Sequence, residues 1–208
     1  MKLTHMLALA SMLSGAAAFA QTGSTGPVST PPGATAAPSM STMAMTPTAV
    51  LSLLHQVNQD EIRLGQLAQS KATSSKVKDY AKDMVKDHGD LDKQVNDLAS
   101  RNGLTLGPSS IPAEKRTQLV NMTQSTDRQL ATATGGQFDR EYMRAMSEGH
   151  GTVLADLDGA LPSLKARDDR VYDLVKSARD KLETHKKHAD EILRDLGNTA
   201  TGGSGTGR

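Results

Sequence analysis

Four stretches of the chain repeat apolar residues at alternating steps of three and four, which is the spacing of the buried face of an α-helix. The second stretch has the most regular pattern, and the residues on its apolar face are Val77, Ala81, Met84, His88, Leu91, Val95 and Leu98. The alternation of apolar and polar residues that marks a β-strand is not found in the sequence. The chain is therefore predicted to be all-α.

Capping and helix-breaking residues give approximate ends to the helices. The connection between the second and third long helices has about 34 residues and contains a weaker helix. One long crossover of this kind is the connectivity of a ferritin-like four-helix bundle, in which the second and third long helices start at the same end. The predicted long helices are Pro47 to Lys71, Ser74-Ser75 to Asn102-Gly103, Gln137 to Ala160 (ended by Pro162) and Asp168 to Leu196, with the weaker helix from Ala113 to Leu130.

The two ends of the chain differ from this helical domain, which covers residues 47–196. Residues 1–20 combine a basic start, a short apolar core and Ala18-Phe19-Ala20, which together predict a signal peptide. Its core is shorter than the roughly 20 residues of a membrane span. Residues 21–46 and 197–208 are predicted to be a disordered tether and a disordered tail, because Gly, Ser, Thr, Pro and Ala dominate them. We therefore expect an exported protein without a membrane span, periplasmic or released from the cell.

Composition argues against several kinds of function. The chain has no Cys, so disulfides and thiolate chemistry are excluded. Lys plus Arg number 24 and Asp plus Glu 23, with two Phe, three Tyr and no Trp, so neither charge nor stacking predicts a nucleic-acid partner. Motifs for a hydrolytic nucleophile or a phosphate-binding loop are not found, so the sequence does not indicate an enzyme. It does not identify a protein partner either.

One ionisable residue interrupts the apolar face of each long helix. Such residues are costly in a helical core unless they are paired or bound to a ligand. With the crossover connectivity and a rise of about 1.5 Å per residue, all of them lie within roughly 5 Å of one level. Their ligating atoms are predicted to converge within about 5 Å. These residues are Glu61, His88, His150 and His185.

Two interpretations of this polar layer remain open. Three imidazoles and one carboxylate suit a single transition-metal ion (Fe, Mn, Zn or Cu) in a protein of metal handling or envelope stress. Alternatively, the side chains hydrogen-bond to one another in a non-catalytic envelope protein with a structural or interaction role. A di-iron centre is not predicted, because the positions three residues before the histidines carry no carboxylate. Those positions are Val85, Ser147 and Leu182.

Other polar residues near the histidines are predicted to lie outside the site. Asp139 is about 16 Å from His150 along the helix and is expected to stabilise the N-terminus of its own helix. Helical geometry assigns the other candidates to solvent or to the apolar core. They are His55 and His188 (exposed), Asp87 and Glu148 (facing solvent), and Met84 and Met146 (core).

A set of motifs resembles those of one bacterial family: Glu61–Ala68, Val77–Ala81 leading to Asp87-His88, Phe138–Tyr142 leading to His150, and His185. This is the domain of unknown function 4142 family, and the resemblance covers about Pro47 to Leu196. Its members are exported, ferritin-like helical proteins, often labelled outer membrane proteins. The resemblance implies the ferritin-like fold and marks the glutamate and the three histidines as motif positions. The sequence departs from the family at Lys181-Leu182-Glu183, where a Leu-Pro pair is usual.

Overall fold

The computed structural model describes residues 45–202, with side chains described as far as residue 197. Within this range the chain has no β-strand, and the predicted all-α class is confirmed. The predicted signal peptide and most of the predicted tether lie outside the described residues. The α-helices are α1 (Pro47–Lys71), α2 (Ser75–Arg101), α3 (Ala113–Thr132), α4 (Gly135–Lys165) and α5 (Asp169–Gly202), and a 3₁₀ turn covers Pro108–Ser110.

Two helices extend well past their predicted ends. Pro162 lies inside α4, which continues to Lys165, so the prediction that this proline ends the helix is wrong. Leu164 is fully buried beyond the proline, and Ser163 Oγ donates a hydrogen bond of 2.9 Å to the Ala160 carbonyl. These contacts hold the last turn although proline removes one backbone donor. The last helix continues past the expected end at Leu196 to Gly202.

The four long helices form two hairpins, α1 with α2 and α4 with α5. Gly65 lies at a close approach of the two helices in the first hairpin, because a Cβ there would be 2.8 Å from Val85 Cγ2. The hairpins pack with α2 against α5 and α1 against α4. At one end, Ser74 N donates to Asp139, and Lys76 Nζ lies 2.6 Å from Asp195 Oδ2. The starts of α2 and α4 therefore meet at the same end, as the long crossover predicts.

The helix α3 crosses the outside of α1 and α4. Arg63 Nη1 lies 2.8 Å from Asp127 Oδ1, and Thr123 Oγ1 donates to Asp60 over 3.1 Å. Only Leu119 and Leu130 of this helix are buried. Polar contacts thus hold much of α3 in place, in contrast to the apolar packing of the long helices.

The core has two apolar clusters, one toward each end of the long helices. The first includes Val57, Leu91 and Val153, and the second includes Met84 and Met146. On each long helix, the predicted polar residue lies in sequence between a member of the first cluster and a member of the second. Of the described helices, none is long and apolar enough to cross a bilayer.

Candidate metal centre

Three of the four predicted ligands converge between the apolar clusters. Among the described residues, His88, His150 and His185 form a group in which one ring nitrogen of each lies within 4.8 Å of the other two. Their ring centroids are 5.4 to 5.7 Å apart. The exposed fraction is 1% for His88 and His150 and 7% for His185. The rings thus meet in the protein interior, where their nitrogens are shielded from solvent.

Each ring is anchored through one of its nitrogens to a protein oxygen. His88 Nδ1 lies 2.8 Å from Asn58 Oδ1, and His150 Nδ1 lies 2.6 Å from the Met146 carbonyl. The third ring uses the other nitrogen, with His185 Nε2 3.0 Å from Asp87 Oδ2. The Met146 carbonyl and the Asp87 carboxylate can only accept, so the anchored nitrogens of His150 and His185 carry the proton and donate. With the amide oxygen of Asn58 facing the ring, His88 Nδ1 donates as well. The second nitrogen of each ring then presents a lone pair, which is the arrangement of metal-binding histidines.

The second nitrogens have no hydrogen-bond partner in the part of the chain that the structure describes. They are His88 Nε2, His150 Nε2 and His185 Nδ1. Burial lowers the pKa of all three histidines, to about 4 for His150. At neutral pH the rings are therefore uncharged, which is the state that binds a metal ion. A buried lone pair without a partner is unfavourable unless a ligand occupies it.

Glu61 lies beside the histidines but is not part of their group. Its position in the layer follows from two neighbours: Asn58, one turn earlier on α1, contacts His88, and Glu61 Oε1 is 3.9 Å from the place of a Cβ on Gly149. The expectation that all four ligating atoms lie together is met for the histidines alone. Burial, with a smaller contribution from Asp60, raises the pKa of Glu61 to about 8. Its Oε2 has no partner among residues 45–197.

The donor set fits a transition-metal ion. Metal–imidazole bonds of about 2.0–2.1 Å place three nitrogens around one ion about 3.3–3.6 Å apart, so binding requires side-chain rotations that bring the observed nitrogens, now within 4.8 Å, closer together. Imidazole is a ligand for Zn, Cu and Fe, and three histidines leave one position of a tetrahedral ion free. The arrangement can hold one ion and leave that position open to another group.

The structure corrects three predictions about neighbouring residues. Asp87 does not simply face solvent, since it holds the ring of His185. His55 is only partly exposed, with 32% of its side chain accessible, and its Nδ1 lies 2.7 Å from Asp92 Oδ1. Asp139 accepts hydrogen bonds from Thr73 N, Thr73 Oγ1 and Ser74 N, so it stabilises the start of α2 and not of its own helix. Predictions confirmed are the exposure of His188 and Glu148 and the burial of Met84 and Met146 in the core.

Two anchoring residues were missed in the sequence. Asn58 is buried three residues before Glu61 on the same face of α1, and this helical spacing is a signal that could have identified it. Asp87 gives no such signal, because it is next to His88 in the chain and points away from the apolar face of its own helix. Its role depends on how α5 packs beside α2.

Comparisons with known proteins agree with the fold and the motifs. The family described as "Domain of unknown function (DUF4142)" matches residues 30–192. A solved structure of a DUF305 protein from Streptomyces coelicolor is similar in fold, with a TM-score of 0.59 and 13% identity over 74% of this chain and 96% of that chain. No curated protein matches the chain. The family match covers most of the sequence, and the chain belongs to the domain of unknown function 4142 family.

Proposed function

We propose that the protein binds one transition-metal ion through His88, His150 and His185 and serves in metal handling or envelope stress. The observation that carries the proposal is that the two nitrogens of each histidine ring differ in their contacts. One nitrogen is anchored to a protein oxygen, and the other is buried and has no partner among the described residues. One ring nitrogen of each histidine also lies within 4.8 Å of the other two. Anchored, neutral imidazoles of this kind bind metal ions without first losing a proton.

A purely structural polar layer explains this arrangement less well. In such a layer the buried polar groups satisfy one another. Here several buried polar atoms have no hydrogen-bond partner among the described residues. They include the three ring nitrogens, Glu61 Oε2 and Tyr142 Oη. Each such atom costs roughly 1–3 kcal/mol of desolvation. A bound ion would use the three nitrogens, and that gain would offset the cost of burying them.

The proposal includes a ferritin-like bundle and a location outside the cytoplasm. The shared end of α2 and α4 and the long connection between them support the ferritin-like connectivity. The signal-like residues 1–20 support export to the periplasm, with release from the cell as the alternative.

The donor chemistry narrows the identity of the ion to Zn, Cu, Fe or Mn. Three neutral imidazoles contribute no charge, so the bound cation favours a nearby carboxylate. Burial keeps the Glu61 carboxyl mostly protonated at neutral pH in the metal-free protein, since its pKa is about 8, and a bound cation would favour its ionisation. Glu61 would then supply that charge, either as a fourth ligand after a side-chain rotation or from beside the ion. Two buried methionines on the same helix faces, Met84 and Met146, provide soft sulfur one turn from the histidines.

Metal analysis of the untagged protein, purified from its native compartment, tests the proposal. We expect about one ion per chain, or a rise to one ion when Mn, Fe, Cu or Zn is added. His150→Ala should abolish this binding, whereas His188→Ala, which removes an exposed histidine outside the group, should not change it. Metal that stays below stoichiometry after each addition would leave the structural polar layer as the better interpretation.

A further inference from the structure

A narrow cleft reaches the polar layer from the side covered by α3. It lies between α1, α3 and α4, has a volume of about 30 Å³, and is lined by Glu61, Thr123, Thr126, Met146 and Gly149 among others. A single water needs about 10–15 Å³ in the same measure, so the cleft has room for about two water molecules or a small ligand. Its lining is mostly apolar, and Glu61 is the residue of the polar layer that lines it, whereas the three histidines do not.

A wider groove on the surface adjoins this cleft. The groove follows the contact between α3 and α4 and has a volume of about 330 Å³. Four residues line both spaces, so the groove and the cleft share one wall, and together they form a candidate passage toward Glu61. These residues are Met122, Thr126, Ala145 and Gly149.

Gly149 stands at the junction of the two spaces. It directly precedes His150, and it has no side chain to narrow the passage. A Cβ at this position would meet Glu61 Oε1 at 3.9 Å, an ordinary contact, so a methyl group fits without displacing the helix. The glycine is therefore not required by crowding, and it costs α4 roughly 0.5–1 kcal/mol relative to alanine. Because Gly149 lines the cleft, a methyl group at this position would reduce its volume of about 30 Å³.

We propose that this passage admits a small exogenous ligand, of one to three non-hydrogen atoms with an oxygen or nitrogen donor, to the free position of the ion held by His88, His150 and His185. This inference rests on the proposed metal site and adds a second ligand to it. Metal sites that act on a small molecule keep one position open for water or substrate. Glu61, whose Oε2 has no partner among the described residues, is placed to hydrogen-bond the ligand at the inner end.

Cobalt-loaded protein and azide test the passage. Co²⁺ binding is read first, from the visible absorbance and the stoichiometry, because that result concerns the metal site alone. Azide, a three-atom anion, is then titrated, and we expect a saturable change in the visible spectrum. Gly149→Ala should bind Co²⁺ normally but weaken azide binding at least tenfold, because the methyl group occupies the passage.

Gly89→Ala is the matched control. Gly89 directly follows His88 in the middle of α2, and a Cβ there meets no described atom within 4 Å outside its own helical turn. It carries the same gain in helix propensity without touching the cleft, so azide affinity should equal that of the wild type. Normal Co²⁺ binding with no azide response, or equal azide affinity in Gly149→Ala and wild type, would overturn the passage and leave the metal site standing. Failure to bind Co²⁺ would overturn both.

Discussion

Replacing Asp87 by Asn removes the charged anchor of the third histidine and leaves the size of the side chain unchanged. Asp87 Oδ2 lies 3.0 Å from His185 Nε2 and 3.0 Å from Lys181 Nζ. Partial burial opposes ionisation of this carboxyl, but hydrogen bonds from His185 and Lys181 outweigh it and lower the pKa of Asp87. In the wild type, the carboxylate therefore keeps the His185 proton on Nε2 and the lone pair on Nδ1.

An amide in this place weakens the anchor in two ways. It carries no charge, and it can turn its NH₂ group toward the ring, which would move the His185 proton to Nδ1 and block ligation. Loss of such an anchor typically weakens metal affinity 10- to 100-fold, or about 1.4–2.8 kcal/mol. We expect a decrease in this range when Zn²⁺ affinity is measured by competition with a chromophoric chelator.

Asp83→Asn is the control for the change in net charge. Asp83 is exposed one turn earlier on α2 and lines the same surface pocket as Asp87. It should alter Zn²⁺ affinity less than threefold, because it does not contact a ligand ring. Equal affinities in the Asp87→Asn and Asp83→Asn variants would refute the anchoring role of Asp87.

Three further predictions concern stability and are measured by thermal or urea unfolding. In metal-free protein, His150→Leu should raise the free energy of unfolding by about 1–2 kcal/mol and Tm by about 2–8 °C, because it removes a buried nitrogen that has no partner among the described residues. A lower Tm in this variant would indicate that the histidines form a stabilising hydrogen-bonded layer. Metal-free stability should peak near pH 6.5. Burial lowers the pKa of His88 and His150, so the unfolded chain takes up protons first as pH falls from about 6.5 toward 4, and stability is lost there. Burial raises the pKa of Glu61 to about 8, so stability is also lost as pH rises toward 8. Glu61→Gln should remove that loss, which is up to about 1.4 kcal/mol per pH unit in the wild type. If the stability of Glu61→Gln declined with rising pH as much as that of the wild type, the burial of this carboxyl would be contradicted. Asp139→Ala should lower the free energy of unfolding by about 2–3 kcal/mol, because it leaves backbone donors at the start of α2 unpaired. The metal stoichiometry should stay unchanged, and loss of metal binding would contradict the separation of Asp139 from the site.

The helical periodicity was sufficient to predict the long helices and the level of the three histidines. A step of three or four residues identifies the buried face, and the long crossover determines which helices run in the same direction. His88, His150 and His185 could therefore be placed together before any contact was known. Pro162 does not end α4, because the burial of Leu164 after it offsets the one hydrogen bond that the proline removes.

Side-chain partners across helices could not be predicted in the same way. Asp87 and His55 lie beside the apolar faces of their helices, and only the packing of a second helix determines whether such residues are exposed or paired. The partners of Asp139 likewise depend on the packing of a second helix, since they belong to the start of α2. For Glu61 the level was predicted, but its distance from the rings depends on the rotamer and on the spacing between helices, which periodicity does not contain.

X-ray absorption at the zinc edge tests the central claim most directly. Protein carrying one equivalent of Zn²⁺ should show three imidazole nitrogens at about 2.0–2.1 Å, with the outer-shell signature of histidine rings. His150→Ala, if it retains zinc at high concentration, should show one imidazole fewer. A coordination shell made of oxygen alone, or an imidazole count that is the same in the wild type and in His150→Ala, would contradict the assignment of these histidines as ligands.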